Sequence, residues 1–177
     1  MQIRTVTLKD SPHDIQRLYD IMIYAYKVTE TEIWGEDYKR MLPEEFQEVI
    51  AKGELIGIWI DEVPVGSIHT YPLNAETRAF GLFSVDFAYK GKGIGRKLIA
   101  AAEEKARNEG ALFMELEILR LKNKELVVKK QLQEWYLRLG YEHISTTDFI
   151  DRKPNKAEKA KNFIAPSVFD CYRKALN

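Results

Sequence analysis

Gly91, Gly93 and Gly95 alternate with Lys92 and Ile94, are bracketed by Lys90 and Arg96, and fall between an apolar run and an amphipathic one. Glycine lets backbone N–H groups converge where side chains would otherwise intrude, and a helix starting there adds its positive end. A diphosphate is the natural occupant of such a turn. Glycine-rich turns also serve merely as tight connections, so the flanking sequence has to decide. A P-loop needs a longer glycine spacing closed by Gly-Lys-Ser/Thr, whereas Gly95 is followed by Arg96-Lys97, with no hydroxyl for magnesium. A dinucleotide turn follows the first strand of a repeated strand-helix series, and this one lies mid-chain after antiparallel-looking strands.

The elements that must hold this turn can be read on both sides of it. Ile3, Val6 and Leu8 mark a first strand. Ser11-Pro12 caps a helix carrying Ile15, Leu18, Tyr19, Met22, Ile23 and Tyr26 at helical spacing. Residues 29–40 are polar and aromatic and read as a connection; Pro43 then opens a short helix through Phe46, Val49 and Ile50 to Gly53. Residues 55–60 and 63–71 flank Asp61-Glu62 as a hairpin, and another strand spans 78–87. Beyond Gly93, Ile94, Leu98, Ala101, Ala102 and Ala106 share a helical face that ends at Gly110. A strand at 112–119, a helix at 126–139 and strands at 141–150 and 168–172 follow. Residues 151–161 are highly charged and aperiodic and read as a solvated loop. Strand, helix and strand around Gly93 make one parallel crossover inside a mixed sheet.

Residues 82–99, LFSVDFAYKGKGIGRKLI, resemble the acetyl-CoA motif of the GNAT superfamily of N-acetyltransferases. Trp135-Tyr136-Leu137-Arg138-Leu139-Gly140-Tyr141 is similar to that family's aromatic-Tyr-x-x-Leu-Gly-aromatic signature, and the order of elements agrees over most of the chain. The resemblance implies an α+β (mixed α/β) fold in one domain over residues 1–177. Its sheet would be mixed but mostly antiparallel, with about six to seven strands flanked by about four helices. It implies acetyl-CoA as co-substrate, its diphosphate held at Lys90, Gly91, Lys92, Gly93, Ile94, Gly95 and Arg96. Backbone groups near Phe83 and Val85, on a strand that splays from its neighbour, would pair with the pantetheine amides. Lys90 stands where the family has Gln or Arg, keeping the charge without the planar fork. Lys129 replaces the usual asparagine, so that Lys129 or Lys130 becomes a phosphate contact or a solvated lysine.

Acyl transfer from a thioester to an amine needs a neutral amine, a polarised carbonyl and a proton for the departing thiolate. Tyr136 matches the family tyrosine near the sulfur; on a helix beside Trp135 it could equally be core. Asp86, Glu115, Glu117 and His69 are candidates for a base, with Glu117 taken forward as catalytic. The first helix pair and the loop after Phe149 set the acceptor in this family. Trp34 and Tyr38, with Glu36 and Asp37, would give an aromatic and acidic lining suited to a cationic amine or polyamine.

Bulk properties set the outer limits. With Lys+Arg and Asp+Glu both at 27, no overall field draws the chain to nucleic acid or an anionic membrane. Cys171 is the only cysteine, which rules out an internal disulfide and a clustered thiolate metal site and reads as a small buried hydrophobe. The N-terminus lacks a signal-peptide core, and a cytoplasmic home is expected. The function expected is acetyl transfer from acetyl-CoA to a primary amine, on a small molecule or a protein, with a homodimer left open. A non-catalytic acyl-CoA sensor and a nucleotide- or phosphate-binding protein are the alternatives.

Overall fold

The computed structural model describes residues 1–177 and contains one seven-stranded sheet in the order β1-β2-β3-β4-β5-β7-β6. Its strands are β1 (Gln2–Thr5), β2 (Leu55–Ile60), β3 (Val63–Pro72), β4 (Thr77–Val85), β5 (Phe113–Leu121), β6 (Glu142–Asp148) and β7 (Ser167–Ala175). The longer helices are α1 (Pro12–Trp34), α2 (Pro43–Ala51), α3 (Ile94–Asn108) and α4 (Val127–Arg138), and two single turns, α5 (Phe149–Arg152) and α6 (Ala157–Ala160), lie between β6 and β7. The mixed, mostly antiparallel fold expected from the sequence is the one observed. Only β4 and β5 run parallel, joined by α3.

Each face of the sheet is covered because alternate strand residues are apolar. On one face Ile56, Ile68, Met114 and Leu116 pack against Ile94, Leu98 and Ala102 of α3 and Trp135 and Tyr136 of α4. On the other, Leu55, Trp59 and Leu82 meet Leu18 and Met22 of α1 and Phe46 and Ile50 of α2. A third cluster joins the end of α1, Ile33 and Trp34, to Leu119, Phe149, Phe169 and Cys171. Cys171 is thus the buried small side chain expected.

Two readings are corrected. Helix α1 does not stop near Val28 but runs to Trp34, because Glu30, in a polar stretch, is buried and paired rather than solvated. Residues 151–161 are not an open loop: they include α5, a 3-10 turn at Pro154–Lys156 and α6, and Arg152 and Lys153 pair with Glu115 and Glu117 of β5.

Candidate active site

Beyond β4 the chain makes a 3-10 turn, Phe87–Tyr89, whose N-cap Asp86 accepts from the Ala88 amide at 2.9 Å. The amides of Lys90 and Lys92 are engaged within this turn, donating to the carbonyls of Phe87 and Tyr89 at 3.1 and 3.4 Å. Those of Gly91, Gly93, Ile94, Gly95 and Arg96 meet no acceptor in the chain, and the first bond of α3 runs from Lys97 N–H to the Gly93 carbonyl at 3.2 Å. Unengaged donors at a helix N-terminus form an anion cradle. Gly91 and Gly93 hold φ of 77° and 75°, the left-handed region that side chains disfavour. Gly95 is glycine for another reason: a Cβ there would lie 2.9 Å from the Phe83 ring and 3.3 Å from Trp135.

The cradle opens into a split in the sheet. Strands β4 and β5 pair only from Thr77↔Phe113 to Phe80↔Leu116 and part beyond that point. The parting begins where β4 carries an extra residue against β3, between its partners of Ser67 and His69, and where Leu82 takes φ 45°. A left-handed leucine is strained, and burial of its side chain against α1 and α2 holds it there. A cavity of about 1350 Å³ runs from Lys90, Gly91 and Gly93–Arg96 past Phe83, Val85, Ile118 and Trp135 to His69, Tyr71 and Glu117. It joins the α3 side of the sheet to the α1–α2 side.

Tyr136 lies on this cavity between Phe80 and Tyr141, with ring centroids 5.8 and 6.0 Å away. Burial, reinforced by nearby Tyr26, raises its phenol well above the ordinary value, so it remains a proton-bearing donor. Tyr26, on α1, has its hydroxyl at the Phe83 backbone and is itself pushed up to about 12 by burial. At the far end, His69 Nε2 and Glu54 Oε2 are 2.8 Å apart. Burial lowers the imidazole below its ordinary value despite the Glu54 bond, favouring the neutral ring.

Phe83, Val85, Lys90, Gly91, Gly93, Ile94, Gly95, Arg96, Tyr136 and Glu117 all lie on the cavity wall. Lys92 does not; its ammonium sits 4.9 Å over the Tyr89 ring. Glu117 is already held on both oxygens, by Arg152 at 2.8 Å and Lys153 at 2.9 Å. Glu115 is buried and bound by Arg152 and Arg173, and Asp86 is bound by Arg17 at 2.7 Å. The acceptor lining expected at Trp34 and Tyr38 is corrected: Trp34 is buried and stacks on Tyr38 at 4.2 Å, away from the cavity. Lys129 is neither solvated nor free for phosphate. It is buried and donates to Glu30 Oε1 at 2.9 Å, while Trp34 Nε1 donates to Glu30 Oε2 at 2.8 Å. Burial alone would raise the Glu30 carboxyl, yet Lys129 and nearby Arg40 hold it below its usual value.

The same two connections that sequence pointed to for the acceptor do reach the cavity, through other residues: Arg40 from the α1–α2 link, and Lys153, Lys156 and Lys159 from the segment between β6 and β7. The three-residue spacing of these lysines was the available signal. Tyr26 was read only as part of a helical apolar face, and Glu54 carried no signal until β3 placed His69 beside it.

Solved structures share this architecture. An aminoglycoside 6'-N-acetyltransferase complexed with coenzyme A superposes with a TM-score of 0.71 at 15% identity, over 100% of this chain and 98% of that one. The aminoglycoside 6'-N-acetyltransferase of Enterococcus faecium gives 0.71 at 16%, over 100% and 98%. N-acetylglutamate synthase from Neisseria gonorrhoeae, complexed with coenzyme A and N-acetyl-glutamate, gives 0.65 at 19%, over 99% of this chain and 35% of that one. No curated protein matches by sequence. The acetyltransferase (GNAT) family model matches residues 18–141, from the core of α1 through the anion cradle and the split strands to Tyr141, and the chain belongs to that family.

Proposed function

We propose that this chain, as a single catalytic domain, transfers the acetyl group of acetyl-CoA to a primary amine by direct attack. The observation that carries the reading is the continuity of one cavity from a cradle of unengaged amides, through the opening between β4 and β5, to a buried phenol and a neutral imidazole. The solved neighbours that hold coenzyme A support the same cofactor.

The amides of Gly91 and Gly93–Arg96 bind the diphosphate, with Lys90 adding a point charge at the rim. The parted strand offers backbone groups near Phe83 and Val85 to the pantetheine amides. The amine nitrogen adds to the thioester carbonyl carbon, the C–S bond breaks, and the electron pair leaves on sulfur. Tyr136 donates a hydrogen bond to that sulfur. Its raised pKa suits holding the developing thiolate more than full proton release, and the thiolate takes its proton from this phenol or from water. His69, held through Nε2 by Glu54, accepts the proton the amine loses. Glu117, saturated by Arg152 and Lys153, fixes Lys153 at the acceptor end and replaces the base role expected of it.

The test is release of free thiol from acetyl-CoA across a panel of primary amines. Amine-dependent release, slowed in Tyr136→Phe, is expected. Tight binding of acetyl-CoA with no amine-dependent release would make the chain a sensor.

A further inference from the structure

The acceptor end of the cavity is walled by charge, and the charges do not cancel in pairs. The anions there are Glu45, Glu48, Glu54 and Glu117; the cations are Arg40, Lys52, Lys153, Lys156 and Lys159. Glu117 is held by Arg152 and Lys153, whereas Glu54, bonded to the neutral His69, and Glu45, which accepts from the Leu42 amide at 2.8 Å as part of the α2 cap, keep their charge. Glu30, deeper in, is closed by Lys129 and Trp34. Glu45, Glu48 and Glu54 are left on the acidic side, against Arg40, Lys52, Lys156 and Lys159, none of which makes an ion pair although Arg40 also lies near Glu30, so the cations are in excess by one.

Arg40 is the most telling of these. Its Nε is buried without a hydrogen-bond partner, and its guanidinium lies 5.1 Å over the Tyr26 ring. Orphaned buried donors cost stability unless something satisfies them. Burial, then Lys159, Lys153 and Arg40, lowers the Lys156 ammonium below the ordinary lysine value, as expected where like charges converge on one space. An anion entering among them would relieve that repulsion. The position is also apt: Tyr26 underlies Arg40 and borders Tyr136, so a short molecule could touch Arg40 at one end and the reacting centre at the other.

We infer that the acceptor is a small primary amine bearing an anionic oxyacid group, carboxylate or phosphate, received by Arg40 together with Lys156 and Lys159. This rests on the acetyltransfer reading and reverses the charge expected from Glu36 and Asp37. A polycationic acceptor would meet the wrong field. The planar fork of arginine suits carboxylate and phosphate alike, and the lysines add point charges.

Matched amines test it: O-phosphoethanolamine against ethanolamine, glucosamine 6-phosphate against glucosamine, β-alanine against β-alaninamide, and spermidine as polycation. Thiol release from acetyl-CoA gives kcat/KM, and calorimetric titration of each amine into the CoA-loaded protein gives affinity independently of turnover. At least one anionic member should exceed its neutral partner by about 10-fold or more in affinity. Arg40→Gln, and separately the pair Lys156→Gln with Lys159→Gln, should remove that preference while CoA affinity is kept. The two anionic chemistries separate by which pair responds. Preference for spermidine or the neutral partners, an equal effect of Arg40→Gln on every amine, or no binding of any anionic amine would overturn the inference. Arg40-dependent binding of an anionic amine without thiol release would uphold it and instead sink the acetyltransfer reading.

Discussion

An imidazole that takes a proton from an amine must be neutral, and burial on β3 keeps His69 so at neutral pH. In wild type, kcat/KM should therefore steepen from first to second order in hydroxide somewhere below pH 6.5, the ordinary histidine value, as His69 protonates on top of the amine. His69→Gln should lower kcat/KM about 100-fold and keep first-order dependence throughout. A pH profile with the same break in the variant would assign it to another group. For Tyr136→Phe, kcat should fall about 10- to 100-fold with the KM for acetyl-CoA changed less than about 2-fold, since in the proposed role the hydroxyl acts on sulfur only as charge develops. Equal loss in both would make Tyr136 a packing residue. The place of Tyr136 on the cavity was legible from its Leu-Gly-aromatic setting. Arg40 was not, because an arginine in a connection has no pattern until Tyr26 and the lysines of the other connection surround it.

Elements rather than single residues explain why Lys129 can stand buried where it does. The first turn of its helix, α4, meets the C-terminal end of α1, and the pair with Glu30 bridges 99 positions of sequence across that contact. Breaking a buried pair leaves a charge without its partner. Lys129→Ala should cost about 3–5 kcal/mol in urea unfolding, and Glu30→Gln with Lys129→Met should recover most of it. Additive losses in the double variant would mean that the two do not act as a pair. This contact also accounts for the misjudged end of α1: Thr29, Glu30, Thr31 and Glu32 look solvent-facing in sequence, and only the fold buries Glu30. The α3 crossover, by contrast, was readable, since Ile94, Leu98, Ala102 and Ala106 keep helical spacing and all are buried. The irregularity at Leu82 left no trace in residue type, because tertiary packing imposes it.

Across the whole molecule, acid should act through carboxylates tied to cations. Asp10 is lowered by Arg4, and Glu30 and Asp170 stay below their ordinary values despite burial, through Lys129 and Arg120 respectively. Each is a stronger acid folded than unfolded. The stability they contribute is complete above the ordinary values of 3.8 to 4.5 and is lost as pH falls through the folded ones. His69, also lowered, begins a smaller loss below 6.5. Tm followed against pH should decline gently below 6.5 and steeply below about 4.5, with a shallower acid fall in Asp170→Asn. An identical fall in that variant would exclude Asp170 as a contributor. The sheet as a whole was legible in its alternating strands, whereas the opening of β4 from β5 was expected only through resemblance to a family. That opening and the cradle beside it form the proposed CoA site, which calorimetric titration of CoA into wild type, Gly93→Asn and Gly93→Asp tests. Both variants bear the same left-handed backbone and similar bulk, and a Cβ at Gly93 meets nothing within 4 Å, so only the added charge separates them. Wild type should bind, Gly93→Asn should stay within about 10-fold, and Gly93→Asp should lose about 100-fold or more through like-charge repulsion. Equal affinity in the two variants, or no binding of CoA by wild type, would rule out a CoA diphosphate at Gly93.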